Sequence, residues 1–451
     1  MNTKLYLEAC ENARTLAYEA EAYIWKHPET GYREWNTEAY LAERFEKLGY
    51  TLIKAGDIPG FYTDIDTGKP GPKILIFGEL DSLICFDHPD AASGTGAVHA
   101  CGHHCQAAVL LGLAAALKEP GVLEGLSGSI RLCAVPAEEL IETGWRETLR
   151  EKGTIKYYGG KVEFLYRGYL DGCDICYMVH TSGGDKRFVG VSDGGNGCVV
   201  KNTVFKGKAS HAGGSPENGI NALYAANVAF TAANALRETF WDDKHIRFHP
   251  IVTKGGEAVN AIPSEVVTES YVRGSDIESI SEVNKKINRA FAGAALAMGG
   301  NVRLMDRVGY FPLNNSKPLS KLGMEALSEF MEEGQYAMTG GWDTGCTDMG
   351  DITAVMPAAH FYCAGEAGIG HGNNYHIENR EWALMDSMRF QLILLAKLLE
   401  NDADKAKEVM ETTELRYKSK EEYFAYVDSL DMDKRTVFYQ EDGTVTLDFT
   451  N

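Results

Sequence analysis

The stretch His99-Ala100-Cys101-Gly102-His103-His104-Cys105-Gln106 sets three histidines and two cysteines within seven positions, in a chain holding 12 His and 10 Cys. A thiolate at Cys101 and an imidazole at His103 suit one soft or borderline metal ion. Gly102 lets the backbone turn tightly between them. The run that follows, Ala107 to Leu117, is almost wholly apolar and reads as a buried helix. The cluster therefore opens a helix N-terminus, where partial positive charge is expected to help keep a thiol deprotonated. An isolated C-x-H more often marks packed side chains, so the reading depends on further ligands elsewhere in the chain.

Such ligands follow. Glu138 and Glu139 come directly after an apolar run and Pro136. Side chains on neighbouring residues point apart, so one carboxylate can bind metal while the other faces substrate and moves protons. Metal-assisted amide hydrolysis needs that division: the metal lowers the pKa of a bound water toward ~7, and a free carboxylate takes its proton. His180 and His371 are the remaining candidates, with His376 a competitor for the last place.

Four apolar runs position these residues: 73–77, 129–135, 173–179 and 358–363. Glu79 and Asp81, the glutamate pair, His180 and His371 each follow one of them. Helical patterns lie between, which predicts an α/β sheet, and ligands of such sheets bind beyond the carboxyl ends of the strands. The middle of the chain reads differently, as strand, helix, two strands and a helix. The expected organisation is a mixed-sheet α/β catalytic domain with helices on both faces, made of residues 1–196 and 308–400. A smaller α+β insertion, residues 197–307, interrupts it. Residues 401–451 read as a charged extension, a surface helix and tail without chemistry.

Composition sets outer bounds. The chain carries 64 acidic against 44 basic side chains, a formal charge of −20, which argues against nucleic acid or an anionic membrane as partner. No apolar run approaches the ~20 residues of a membrane span, and the N-terminus has no apolar export segment. Reduced cysteines and a cytoplasmic location are the expectation. No G-x-G-x-x-G follows a strand, so a dinucleotide-binding reading is set aside.

Gly78-Glu79-Leu80-Asp81-Ser82-Leu83, His99-Ala100-Cys101-Gly102-His103, Ala137-Glu138-Glu139, Lys208-Ala209-Ser210-His211-Ala212 and Gly255-Gly256-Glu257-Ala258-Val259-Asn260-Ala261-Ile262-Pro263 occur in this order. Together they resemble the M20 metallopeptidase family, in particular its amidohydrolase branch of auxin-conjugate, hippurate and aminobenzoyl-glutamate hydrolases. The resemblance implies two divalent transition-metal ions (Mn²⁺, Zn²⁺, Ni²⁺ or Co²⁺) held by Cys101, His103, Glu139, His180 and His371. It implies Glu138 as general base and Asp81 behind the ligands, orienting an imidazole. It further implies His211 as an oxyanion stabiliser, acting in some arrangements across a dimer. Asn260 and Arg273 would hold the carbonyl and carboxylate of the substrate. That substrate would be a small amide, an N-acyl or N-aminoacyl amino acid, and the resemblance makes residues 197–307 a lid and dimerisation domain through which a homodimer forms. A dipeptidase or carboxypeptidase on the same scaffold, or a silent metal-binding member, are the alternatives. The sequence departs from the branch at His104, where an acidic residue or asparagine is usual, and at Gln106, where many members carry histidine.

Overall fold

The structure, a computed structural model, describes residues 2–450. Its main sheet has nine strands, of which the central four run parallel: Ser129–Val135, Lys73–Glu79, Ile175–Gly183 and Ala358–Ala367, in that spatial order. Successive side chains of a strand point to opposite faces, and here both faces are covered. Ile74 and Ile76 pack with the helices Thr3–Trp25, His103–Ala116 and Ser387–Leu399. Leu75 and Phe77 enter a second core with Val162 and Phe164 of the helix Gly160–Tyr166. In the His103–Ala116 helix every residue but Ala115 is buried, which is why its sequence shows no polar stripe.

A second sheet is antiparallel throughout. Its order is Arg247–Lys254, Glu265–Gly274, Gly197–Lys206, Asn301–Tyr310 and Met432–Arg435. The helices Ala222–Ala235 and Ile277–Ala297 pack on it, with Phe205, Phe248 and Phe291 between. The chain is thus an α/β protein with a large mixed sheet and a smaller α+β unit.

Two features differ from the sequence reading. The strand Asn301–Tyr310 continues through residue 307, where the second part of the main unit was expected to begin. The 401–451 extension is not a loose tail. Met432–Arg435 adds the edge strand beside Asn301–Tyr310, and Tyr423 and Val427 of the helix Lys420–Ser429 are buried in the second core. Its high charge had hidden a few well-spaced apolar anchors.

Candidate metal centre

The carboxyl ends of the four parallel strands bring the expected ligands together. Ligand atoms of Cys101, His103 and His180 all lie within 4.8 Å of one another, and so do those of Cys101, Glu139 and His371. Cys101 belongs to both groups, so two cation positions share one sulfur. The tautomers fit. His103 Nδ1 donates to the Asp81 carbonyl at 3.0 Å and lies 3.1 Å from Asp81 Oδ1, which turns Nε2 into the cluster, 3.3 Å from Glu79 Oε2. His180 Nδ1 donates to the Thr181 carbonyl at 2.7 Å, and its Nε2 sits 3.4 Å from Cys101 Sγ. Asp81 also accepts the Glu139 N–H at 2.7 Å, so one carboxylate orients a ligand on each side. His371 Nε2 lies 3.2 Å from Glu139 Oε1. His376 instead faces Glu378 at 3.0 Å, outside the cluster.

Buried polar atoms test whether metal fits. Glu79 Oε2, His103 Nε2 and Glu139 Oε1 are buried without a well-directed hydrogen bond among the described residues: His103 Nε2 stands 3.3 Å from Glu79 Oε2, and Glu139 Oε1 3.2 Å from His371 Nε2. Such orphans are costly unless a ligand satisfies them, and all three face this cluster. Burial, then Glu139, pushes the Cys101 thiol far above its ordinary range. The helix N-terminus expected to ionise it is therefore outweighed, and a thiolate here needs a cation beside it. Sulfur, imidazole and carboxylate donors suit a divalent transition metal.

The backbone is shaped around this demand. Gly102 has φ of +103°, and a Cβ there would overlap Thr181 Oγ1. Ala137 and His371 take positive φ of 59° and 62°, conformations that non-glycine residues adopt at a cost. His371 N–H donates to the Ala100 carbonyl at 2.8 Å, fastening the last candidate ligand to the Cys101 loop. Three consecutive carbonyls of the glutamate loop are also held. Glu138 O accepts from the Tyr310 hydroxyl, Glu139 O from the Arg146 guanidinium and Leu140 O from the Tyr271 hydroxyl. Tyr271 and Tyr310 belong to the second sheet, so that sheet helps set where Glu138 points.

The glutamate pair is electrostatically split. Burial, reinforced by Glu79 and Glu139, raises Glu138 well above the carboxylate range. Burial also works on Glu139, but His371 and then His103 overcome it and take Glu139 down to about 2. The two neighbouring carboxyls are thus pushed in opposite directions, Glu138 upward and Glu139 downward, the separation that acid–base chemistry uses.

The profile of the family described as Peptidase family M20/M25/M40 matches residues 75–401. The chain belongs to that family. A mouse Xaa-Arg dipeptidase is 31% identical over 374 residues, covering 78% of this chain and 77% of its own length. An Enterobacter agglomerans indole-3-acetyl-aspartic acid hydrolase is 27% identical over 329 residues, 62% of this chain and 71% of that one. A Bacillus subtilis peptidase of the M20 family, described as dinuclear metal-binding, shares the fold with a TM-score of 0.62 at 20% identity, over 86% of this chain and 99% of that one. As an M20 protein, this chain is a hydrolytic enzyme of the metallo-amidohydrolase and peptidase type.

The other expected site residues of this M20 chain fall in two places. Arg273 lies opposite Cys198 in the second sheet. Burial opposes its charge, but Cys346, Cys198, Tyr271 and Glu139 hold it above its ordinary value. It forms no ion pair among the described residues, so its fork is free. His211 and Asn260 meet each other instead, in exposed loops bridged at His211 and Ala261. Gly213 and Gly214 both donate to His211 Nδ1, at 3.1 and 2.7 Å, so the ring presents Nε2–H outward. Neither lines the pocket over the metal cluster.

Sequence reasoning missed a buried charge cluster behind the ligands. Lys161 is fully buried and pairs with both Glu79 and Asp348. Burial would lift Glu79, yet Lys161, followed by His103 and His180, takes it down to about 2. No motif marks Lys161, which sits in the unremarkable run Gly159-Gly160-Lys161-Val162.

Proposed function

We propose that this protein hydrolyses the amide bond of an N-acyl or N-aminoacyl amino acid, a small carboxylate-bearing substrate. Cys101, His103 and His180 would hold one divalent ion and Cys101, Glu139 and His371 a second, of Mn²⁺, Zn²⁺, Ni²⁺ or Co²⁺. When bound, such a pair supplies Lewis acidity and an acidified water. Glu138 takes the proton of the attacking water and delivers it to the leaving nitrogen. Arg273, which forms no ion pair among the described residues, holds the substrate carboxylate, a planar fork being suited to that group. The observation that carries this reading is the buried Glu138 carboxyl lining the pocket beside two ligand triads that share one thiol.

His211 and Asn260 enter through a homodimer, in which the partner subunit's His211 donates Nε2–H to the oxyanion and Asn260 binds the substrate carbonyl. The support is an open edge. Arg247–Lys254 ends its sheet with Ile251 and Val252 exposed, and Tyr224 and Val228 are exposed on the neighbouring helix. Apolar residues on an open edge strand favour pairing with another chain. Ten free cysteines fit a reducing, cytoplasmic setting, and among the described residues no helix is long and apolar enough to cross a membrane. The test is a hydrolysis screen of N-acyl, N-aroyl and dipeptide substrates after reconstitution with each metal. Turnover of at least one class with two ions per chain is expected. No turnover by fully loaded protein would overturn the proposal.

A further inference from the structure

The pocket over the metal cluster is lined by Cys101, Glu138, Glu139, His180 and His371 on its floor, and by Asp343, Cys346, His360 and Tyr362 among the residues of its wall. Asp343 has no assigned part in the chemistry above. Its carboxylate is in none of the ligand groups, and it is exposed to the pocket. No lysine or arginine lines the same space, and among the described residues Asp343 forms no ion pair. One oxygen accepts the Gly345 N–H at 2.8 Å; the other is open.

This carboxylate is built in place rather than hung on a free loop. Trp342 and Asp343 pair in parallel with Gly194 and Gly195. Asn196 N–H donates to the Asp343 carbonyl at 2.9 Å, and Trp342 Nε1–H donates to Asn196 Oδ1 at 2.9 Å. Glycines stand on both sides. A Cβ on Gly345 would lie 3.3 Å from Asp343 Oδ1, and one on Gly195 would lie 3.5 Å from Asp343 Cβ, so no side chain screens the carboxylate from a ligand. In the same wall, both ring nitrogens of His360 are buried without a partner. The wall therefore offers a carboxylate without an ion pair and a ring without a partner, and no lysine or arginine is among its lining residues.

Resting on the hydrolase reading above, we infer that Asp343 is a specificity residue that binds a cationic group of the substrate, an ammonium or guanidinium. The preferred substrates are then charged dipeptide-type amides rather than neutral N-acyl amino acids. The cation can come from the free amine of an N-terminal residue or from a basic side chain.

Two matched pairs separate these sources. Glycyl and propanoyl amides of one neutral amino acid differ only in an ammonium replacing a methyl group. Propanoyl-arginine and propanoyl-citrulline differ only in side-chain charge. The wild-type enzyme, with two ions per chain, should favour the charged member of at least one pair by about ten- to hundredfold in kcat/KM, the range of a hydrogen bond to a charged group. The pair showing the preference identifies the source of the cation. Asp343→Asn should bring that ratio near one, with metal content and thermal unfolding as checks that the variant is folded. A wild-type preference for the neutral members, or a charge preference that survives in Asp343→Asn, would overturn the inference and leave the hydrolase reading standing. Failure of fully loaded enzyme to cleave any of the four would overturn the inference, and the hydrolase reading falls with it only if the wider screen of N-acyl, N-aroyl and dipeptide substrates also shows no turnover.

Discussion

Replacing Lys161 with methionine keeps most of the stem volume and removes the ammonium. In the native structure that ammonium sits between Glu79 and Asp348, and all three side chains are at most 1% exposed. The group carries two negative charges and one positive. After the change, two buried carboxylates face each other without a cation, and Glu79 Oε2 already lacks a well-directed hydrogen bond. Breaking a buried pair by removing one partner costs about 3–5 kcal/mol, a large share of the ~5–15 kcal/mol that holds a protein folded. The strained carboxylates can escape part of this cost by taking up a proton. Asp348 is already raised to about 6, by burial and by Glu79, against the opposing pull of Lys161. A carboxyl whose folded pKa is raised stabilises the fold while protonated and loses that contribution as pH rises through the folded value. The deficit of Lys161→Met should therefore be smallest at pH 5 and grow between pH 6 and 8. Urea unfolding of both proteins across that range measures it. A loss below about 1 kcal/mol at pH 8, or a loss independent of pH, would refute the claim that Lys161 neutralises this cluster.

Cys101→Ser should lose both ions rather than one, because the sulfur belongs to both ligand groups and a hydroxyl is a poor anionic donor; elemental analysis showing full occupancy would remove Cys101 from the centre. Tyr310→Phe should keep its metals but lower kcat on the order of tenfold or more, since small misplacements of a catalytic group are costly and the Glu138 carbonyl loses its anchor. Single-turnover rates at wild-type metal content would decide that case, and an unchanged rate would show that the second sheet does not position Glu138.

The ligands were legible because metal chemistry uses few residue types and an α/β sheet gives them one address. Cys101, His103, the Glu138–Glu139 pair, His180 and His371 stood out as candidates by residue type and position near strand ends, while the assignment of Glu139 to metal and Glu138 to proton transfer came from the M20 resemblance. His180 turned out to lie within its strand, Ile175–Gly183, rather than beyond it, yet near the same end. The choice of His371 over His376 needed geometry, since both lie in one glycine-rich stretch and only the backbone decides which ring turns inward. Lys161 and Asp343 were not legible at all. A single lysine or aspartate in a glycine-flanked run has no periodic signature, and its meaning comes from partners far along the chain, Glu79 and Asp348 for one and Gly194–Gly195 for the other. The strand Met432–Arg435 was hidden for a related reason. An edge strand with Met432 buried and Asp433 and Arg435 exposed reads as polar tail until its neighbour is known.

The central claim is that Glu138 moves protons while Glu139 binds metal. It is tested most directly by measuring metal content and single-turnover rate side by side for Glu138→Gln and Glu139→Gln. Glu138→Gln should retain two ions per chain and lose about 10²–10⁴ in rate, the usual cost of removing a general base, whereas Glu139→Gln should lose metal and activity together. Metal loss in Glu138→Gln with retention in Glu139→Gln would reverse the assignment, and full metal with full turnover in Glu138→Gln would contradict the account.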